Sequence, residues 1–208
     1  MTIAVTGPLA SGKSTFVEML GDLGAETVSA DEIVHDLLAE DEETIAAVTQ
    51  RFGEGVRGER GIDRKALGQE VFGDAEALQD LEEILHPRVR EETDRRAAAS
   101  DADLFVAEIP LLFEGEEDQS RSGRFDVTVA VTAPEERRRA WAEERGIEEE
   151  QHRAMEARQL PSEEKARRAD VVVENDGDPD KLKEQARALV NRVLGEGNSD
   201  GEKRAGEA

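Results

Sequence analysis

The stretch Gly7-Pro8-Leu9-Ala10-Ser11-Gly12-Lys13-Ser14 constrains this chain more than any other. Its pattern, G-x-x-x-x-G-K-[ST], places glycines where a Cβ would deny the backbone its freedom. It follows the apolar run Ile3-Ala4-Val5 and opens an amphipathic stretch carrying Phe16, Val17, Met19, Leu20 and Leu23. A strand, a glycine-bounded loop and a helix in that order make an anion cradle, because loop amides and the helix N-terminus converge. Lys13 can then reach the β- and γ-phosphates of a nucleotide, and Ser14 can sit on Mg2+. In a merely Gly/Ser-rich loop the same octapeptide would be a helix cap. The flanking strand and helix favour the phosphate loop.

Beyond residue 23, apolar strand-like runs alternate with helical patterns, which predicts a parallel sheet with crossover helices. Strands are expected at Ile3–Thr6, Glu26–Ser29, Leu104–Ile109, Phe125–Val131 and Asp170–Glu174. The first helix should run from Lys13 to Leu23 and stop at Gly24, and Pro134 should occupy the first position of an Arg/Glu-rich helix. A last helix, about Asp180–Leu194, carries Leu182, Ala186, Leu189 and Val193 on one face. Residues 30–99 are almost entirely helical in pattern, with Leu67, Val71, Leu78, Leu81, Ile84 and Leu85 at helical spacing and breaks at 53–61. The expected fold class is α/β: a P-loop, three-layer α/β/α core on a parallel five-stranded sheet.

The expected organisation is one domain over 1–194, with its core at about 1–32, 101–139 and 168–194. Helical excursions are expected at about 33–100 and 140–167, and 195–208 has too little apolar content to pack and should be a disordered acidic tail. This plan suits a small-molecule kinase. One excursion binds the acceptor, and the other closes over ATP and keeps water from taking the phosphoryl group.

Composition narrows the classes further. The chain has no cysteine, which removes disulfides, thiolate metal sites and a cysteine nucleophile. No stretch approaches the length of a membrane span and no signal pattern is visible, so a cytoplasmic protein without a membrane partner is expected. Lys+Arg of 27 against Asp+Glu of 50 give a net charge of −23, which repels nucleic acid at long range. Phosphate ligands must therefore be held by local donors. The acidity itself fits adaptation to high salt or simply an acidic, arginine-rich proteome.

Several residues could carry chemistry. Asp31 follows the second strand within SADEIVHDLL, where an acid beyond a strand's carboxyl end points into a ligand crevice. It could accept a proton from a hydroxyl or organise Mg2+ through water, or it could only complement a helix dipole. His35 lies one turn further on, where an exposed surface position is the plainer reading. Glu108 ends the apolar run Leu104-Phe105-Val106-Ala107, a setting like that of a Walker B carboxylate near Mg2+, acting through water. In ERRRAWAEERG, Arg137, Arg138 and Arg139 can pair with neighbouring glutamates along a helix. Arg145 stands apart beside Gly146, where a helix ends and a lid could begin.

Taken together, TGPLASGKST, SADEIVHDLL, GIDRKALGQEVF, LHPRV, IPLLFE and QLPSEEKARRADVVVENDG resemble the dephospho-CoA kinase family over residues 2–194. The resemblance implies transfer of the ATP γ-phosphate to the 3′-hydroxyl of dephospho-CoA, giving CoA and ADP. It also implies ATP and Mg2+ as cofactors, small-molecule partners only, and a monomer or weak homo-oligomer. By this resemblance Asp31 is a general base, and Gly7 with Ala10, Ser11, Gly12, Lys13, Ser14 and Thr15 binds the ATP phosphates. Arg145 is a lid arginine, and Asn175 and Gly177 lie near the adenine. His35, Arg64, His86, Pro87 and, from the PLLFE segment, Leu111 and Glu114 line or support the acceptor side.

The chain departs from the family's pattern at three places. Ala10 replaces a frequent glycine, Ser29 replaces the first acid of an Asp-Ala-Asp, and Trp141 aligns with a frequent arginine whose role Arg138 or Arg145 could cover. The loop Glu114–Asp126 is also longer and more acidic than usual. Another P-loop kinase acting on a nucleoside monophosphate or small metabolite would share the loop and lid, but not the LHP, PLLFE and QLPxEEK set. A regulatory GTPase would need N-K-x-D, and Asn175-Asp176-Gly177-Asp178 lacks the lysine.

Overall fold

A computed structural model describes residues 1–114 and 123–204, with side chains to residue 195. Most of the long acidic loop expected at 114–126 lies outside the described residues. Strands β1 (Thr2–Thr6), β2 (Glu26–Ser29), β3 (Phe105–Glu108), β4 (Val127–Thr132) and β5 (Val171–Glu174) form one sheet in the order β2-β3-β1-β4-β5. β1 pairs in parallel with β3 and with β4, and β4 pairs in parallel with β5. Every strand expected from the sequence is present, β2 with the expected ends and the others with ends shifted by no more than two residues. The chain leaves β1 toward the β3 side and leaves β4 toward β5. The carboxyl ends of β1 and β4 therefore form a switch point, where an open α/β sheet leaves a crevice.

Two compact units divide the chain, one built from Met1–Thr27 and the residues from Ser100 onward, the other from Val28–Ala99. In the first unit, alternation along the strands sends Ile3, Val5, Val106, Val129, Val131 and Val173 to one face. There they meet Phe16 and Leu20 of α1 (Lys13–Asp22), and Leu182, Ala186, Leu189 and Val193 of α9 (Pro179–Arg204). Small residues, among them Ala4, Ala107 and Ala130, are buried at the alternate positions. The remaining helices of this unit are α6 (Glu135–Glu144), α7 (Glu149–Glu156) and α8 (Ser162–Arg168).

The second unit is helical, as its pattern predicts: α2 (Ala30–Glu40), α3 (Glu42–Phe52), a 3-10 turn at Glu54–Val56, α4 (Arg64–Val71) and α5 (Ala75–Ala99). Its own core gathers Leu38, Val48, Val56, Ile62, Leu67 and Leu85. Pro87 lies inside α5, and in that turn Arg88 Nη1 donates to the Ile84 carbonyl at 2.7 Å.

Two boundaries differ from expectation, at Pro134 and in the tail. Pro134 is the N-cap of α6 rather than its first helical residue, because its φ of −54° and ψ of 139° are extended. α6 ends, as expected, beside Gly146, where the chain turns with φ +76°. The tail expected to be disordered from 195 is helical in its backbone to Arg204, since a helix already nucleated by a packed face extends at one hydrogen bond per residue. Residues 205–208 lie outside the described residues. Among the described residues no helix is long and apolar enough to cross a membrane.

Candidate active site

The phosphate loop closes at the switch point because two of its residues have no side chain. A Cβ on Gly7 would overlap the Val131 carbonyl of β4, and a Cβ on Gly12 would overlap the Asn175 amide. Gly12 also sits at φ +88°. Asn175 Nδ2 donates to the Ser11 carbonyl at 3.0 Å, so the segment after β5 grips the loop from outside. Ala10 takes φ +57°, the left-handed region, with its methyl group buried. That conformation costs an L-residue about 1–2 kcal/mol, which is the physical reason a glycine serves well there.

Lys13 is folded over the loop and 8% exposed, its Nζ donating to the Pro8 carbonyl at 3.0 Å. Ser14 Oγ donates to Glu108 Oε1 at 3.0 Å. The end of β3 therefore meets the start of α1 at two hard oxygens. These suit Mg2+, which takes one or two protein oxygens and completes its shell with phosphates and water. Among the described residues no three His, Cys, Asp or Glu side chains converge to hold a metal by themselves.

Thr15, Arg145, Asn175 and Gly177, all expected near the nucleotide, share one cavity of about 210 Å3. Met19, Trp141 and Leu182 supply apolar wall. The volume falls below the roughly 300–1,000 Å3 of sites for drug-sized ligands and matches part of a nucleotide better than the whole. The arginines of α6 divide as their surroundings dictate. Arg138 is buried against Glu156 of α7, and Arg139 pairs with Glu135 one turn back at 2.5 Å. Arg145, at the end of the helix, faces the cavity. Arg137, which drew only an ion-pair reading from the sequence, lies over Gly177. Nearby, the hydrogen bond from Lys181 holds the Asp176 carboxyl below its ordinary pKa, with a smaller contribution from Arg137.

The family motifs PLLFE and QLPSEEK meet each other. Lys165 of α8 is fully buried, its Nζ 2.5 Å from Glu114 Oε1 and 2.6 Å from the Pro110 carbonyl. Glu114 Oε1 also accepts the Leu160 N–H at 3.0 Å, and Oε2 accepts the Phe113 N–H at 3.1 Å. Burial pushes the Lys165 pKa down while Glu114 pulls it up, and burial is the larger effect. Gln159 Oε1 accepts the Leu9 N–H of the phosphate loop at 3.1 Å. Neither Gln159 nor Lys165 was singled out by sequence reasoning; the QLPSEEK motif was the available signal. Leu111 is half-buried in the turn after β3.

Asp31, His35, Arg64, His86 and Pro87 all belong to the second unit and are exposed. Asp31 and His35 are four residues apart on α2. Arg64 opens α4, whose N-cap is Asp63, and its Nη1 lies 3.1 Å from His35 Nδ1. His86 and Pro87 sit side by side within α5. Ser29 is the N-cap of α2, its hydroxyl accepting the Asp31 N–H at 3.2 Å. The serine thus retains the capping function an aspartate would have at this position, because either side chain can accept that N–H.

Comparison with known proteins joins this geometry to one family. The family model described as dephospho-CoA kinase matches residues 1–181. A dephospho-CoA kinase of Frankia casuarinae is 39% identical over 183 residues, covering 87% of this chain and 78% of its own. A crystal structure of a Thermus thermophilus protein superposes with a TM-score of 0.77 at 34% identity, covering 93% of this chain and 97% of that one. A dephospho-CoA kinase from Campylobacter jejuni gives a TM-score of 0.60 at 26% identity, with 92% and 96% covered.

Proposed function

The chain belongs to the dephospho-CoA kinase family, whose members phosphorylate dephospho-CoA with ATP in the final step of CoA biosynthesis, and from that premise we propose how its residues divide the work. The observation that carries the reading is the 3.0 Å contact of Ser14 with Glu108. It sets a hydroxyl and a carboxylate at the mouth of a loop whose amides are shaped for phosphate.

The loop from Gly7 to Thr15 and the Lys13 ammonium hold the triphosphate of ATP. Ser14, with Glu108 through water, holds Mg2+, which when bound neutralises charge on the β- and γ-phosphates. Asn175 fixes the loop, and Asn175 and Gly177 edge the adenine. Asp31 takes the proton of the acceptor's 3′-hydroxyl as its oxygen bonds to the γ-phosphorus. The bond from that phosphorus to the β-phosphate oxygen breaks, and ADP leaves. Arg145 covers the charge that spreads over the transferring group. His35, Arg64, His86 and Pro87 receive the acceptor, while Leu111 and Glu114 support that side of the site from the turn after β3. The enzyme acts in the cytoplasm on small, diffusible substrates, as a monomer or weak homo-oligomer.

ADP release from Mg·ATP tests the reading, with dephospho-CoA, AMP, CMP and no acceptor compared side by side. Turnover with dephospho-CoA alone is expected. Turnover with a monophosphate instead would move the chain to the nucleotide kinases. A general base contributes on the order of 10²–10⁴-fold, so Asp31→Asn should lose about that much turnover with a smaller change in ATP affinity. Near-normal turnover in that variant would make Asp31 structural.

A further inference from the structure

One wall of the nucleotide cavity has a composition that the phosphate chemistry does not explain. Trp141 is the chain's only tryptophan, the chain has no tyrosine, and the indole faces the cavity half-buried from α6. It stands one turn after Arg137, and both side chains close on Gly177. Trp141 Cζ2 would lie 3.5 Å from a Cβ at that position, so the missing side chain lets the indole approach the backbone. A large aromatic face left partly open beside a base-sized cavity is a surface for another flat ring.

The backbone beside it is unusual in a second way. From Gly177 to Leu182 no N–H is left over. Gly177 donates to Asn175 Oδ1 at 3.1 Å and Asp178 to Asp176 Oδ1 at 3.0 Å. Pro179 has no N–H. Asp180 and Lys181 donate to Asp178 Oδ1, and Leu182 donates to the Asp178 carbonyl. The backbone of the strip therefore presents only its carbonyl oxygens. Such carbonyls can accept from a base's amino group, which adenine carries at N6 and guanine at N2, so the strip can steady the edge of a stacked purine without distinguishing the two.

We propose that Trp141 is the platform on which the donor nucleotide's base stacks, with the carbonyls of the strip Gly177–Leu182 along the base's edge. The proposal rests on the kinase reading above, which puts a nucleotide in this cavity, and adds what holds its base. Arg145, on the same cavity wall, is left to the phosphates.

The test is a titration of the intact protein with Mg·ADP and Mg·GDP, followed in parallel by tryptophan emission and calorimetry, on wild type, Trp141→Phe and Trp141→Ala. Emission should change saturably with ADP at the calorimetric midpoint, because every photon comes from position 141. Trp141→Ala should bind ADP on the order of tenfold more weakly and Trp141→Phe within about threefold of wild type, the range expected for a lost and a retained stacking face. Trp141→Ala should weaken GDP by a similar factor, since stacking engages the ring face and not its edge. ADP heat with unchanged emission and undiminished affinity in Trp141→Ala would overturn the platform while leaving the kinase reading intact. A loss of about tenfold for ADP in Trp141→Ala with none for GDP would overturn stacking as the cause. No heat with either nucleotide would overturn the kinase reading, and the inference with it.

Discussion

The side-chain carbonyl of Gln159 accepts the backbone N–H of Leu9 at 3.1 Å, joining positions 150 residues apart. One end of the contact is the phosphate loop. The other follows α7, at the base of the expected lid. A loop that must present its amides to phosphate gains from having its remaining N–H groups already engaged. Gln159→Ala should raise the KM for ATP by roughly two- to tenfold, the worth of one hydrogen bond, with less change in kcat. Gln159→Glu keeps the acceptor but adds a charge beside the triphosphate, so it should recover Tm without recovering ATP affinity. Steady-state kinetics and a thermal scan on the two variants separate these outcomes.

Lys165 and Glu114 form an ion pair in which the lysine is wholly buried. Removing one partner strands the other charge. Lys165→Met should therefore destabilise by about 3–5 kcal/mol, and adding Glu114→Gln should restore part of that loss by removing the uncompensated carboxylate. Chemical denaturation of the single and double variants reads both numbers. A double variant no more stable than the single would show that the hydrogen bonds to Leu160 and Pro110 matter more than the charges.

Ala10 sits at φ +57° inside the loop. Ala10→Gly removes about 1–2 kcal/mol of left-handed strain, and the greater freedom of glycine in the unfolded chain takes back about 0.5–1 kcal/mol. A small net gain in unfolding free energy is expected, with nucleotide affinity retained. A loss of stability would mean that the packing of the buried methyl group outweighs the strain.

Glu92 of α5 receives a fork from Arg95, at 2.6 and 2.7 Å, and a further bond from Arg96 at 2.7 Å. Arg96 also reaches Asp36 of α2 at 2.9 Å. The Arg95 hydrogen bonds first, then Arg96, hold the Glu92 pKa down to about 2, against an ordinary 4.5. A depressed carboxyl stabilises the fold fully above its unfolded pKa, and that contribution is lost as pH falls from about 4.5 through about 2. Glu92→Gln should flatten this part of the Tm-against-pH curve and leave its neutral slope unchanged.

Much of the fold was legible because its signals are local. Ile3-Ala4-Val5 ahead of the glycine loop, and Leu182, Ala186, Leu189 and Val193 at helical spacing, each declare an element without reference to the rest of the chain. The same holds for Ser14 and Lys13, whose roles follow from a spacing of eight residues. Boundaries read less well where two conformations are locally close in energy. Pro134 suits either the cap or the first turn, whereas Gly146 marks the end of α6 plainly.

The pairings across the sheet were another matter. QLPSEEK and PLLFE can each be recognised as motifs, yet nothing in either says that Lys165 is buried on Glu114 or that Gln159 reaches Leu9. Ser29 looked like a lost acid until its hydroxyl proved to cap α2. Trp141 looked like a lost arginine until it proved to form a wall of the cavity that Gly177 leaves open. By itself the sequence determined the strand-and-helix succession, the phosphate loop and the family, since backbone freedom and hydrophobic period act over a few residues. Only the tertiary structure decided which charges neutralise each other, which N–H groups are spent and which aromatic lines the cavity. Those depend on distances between segments up to 164 residues apart, which packing alone sets.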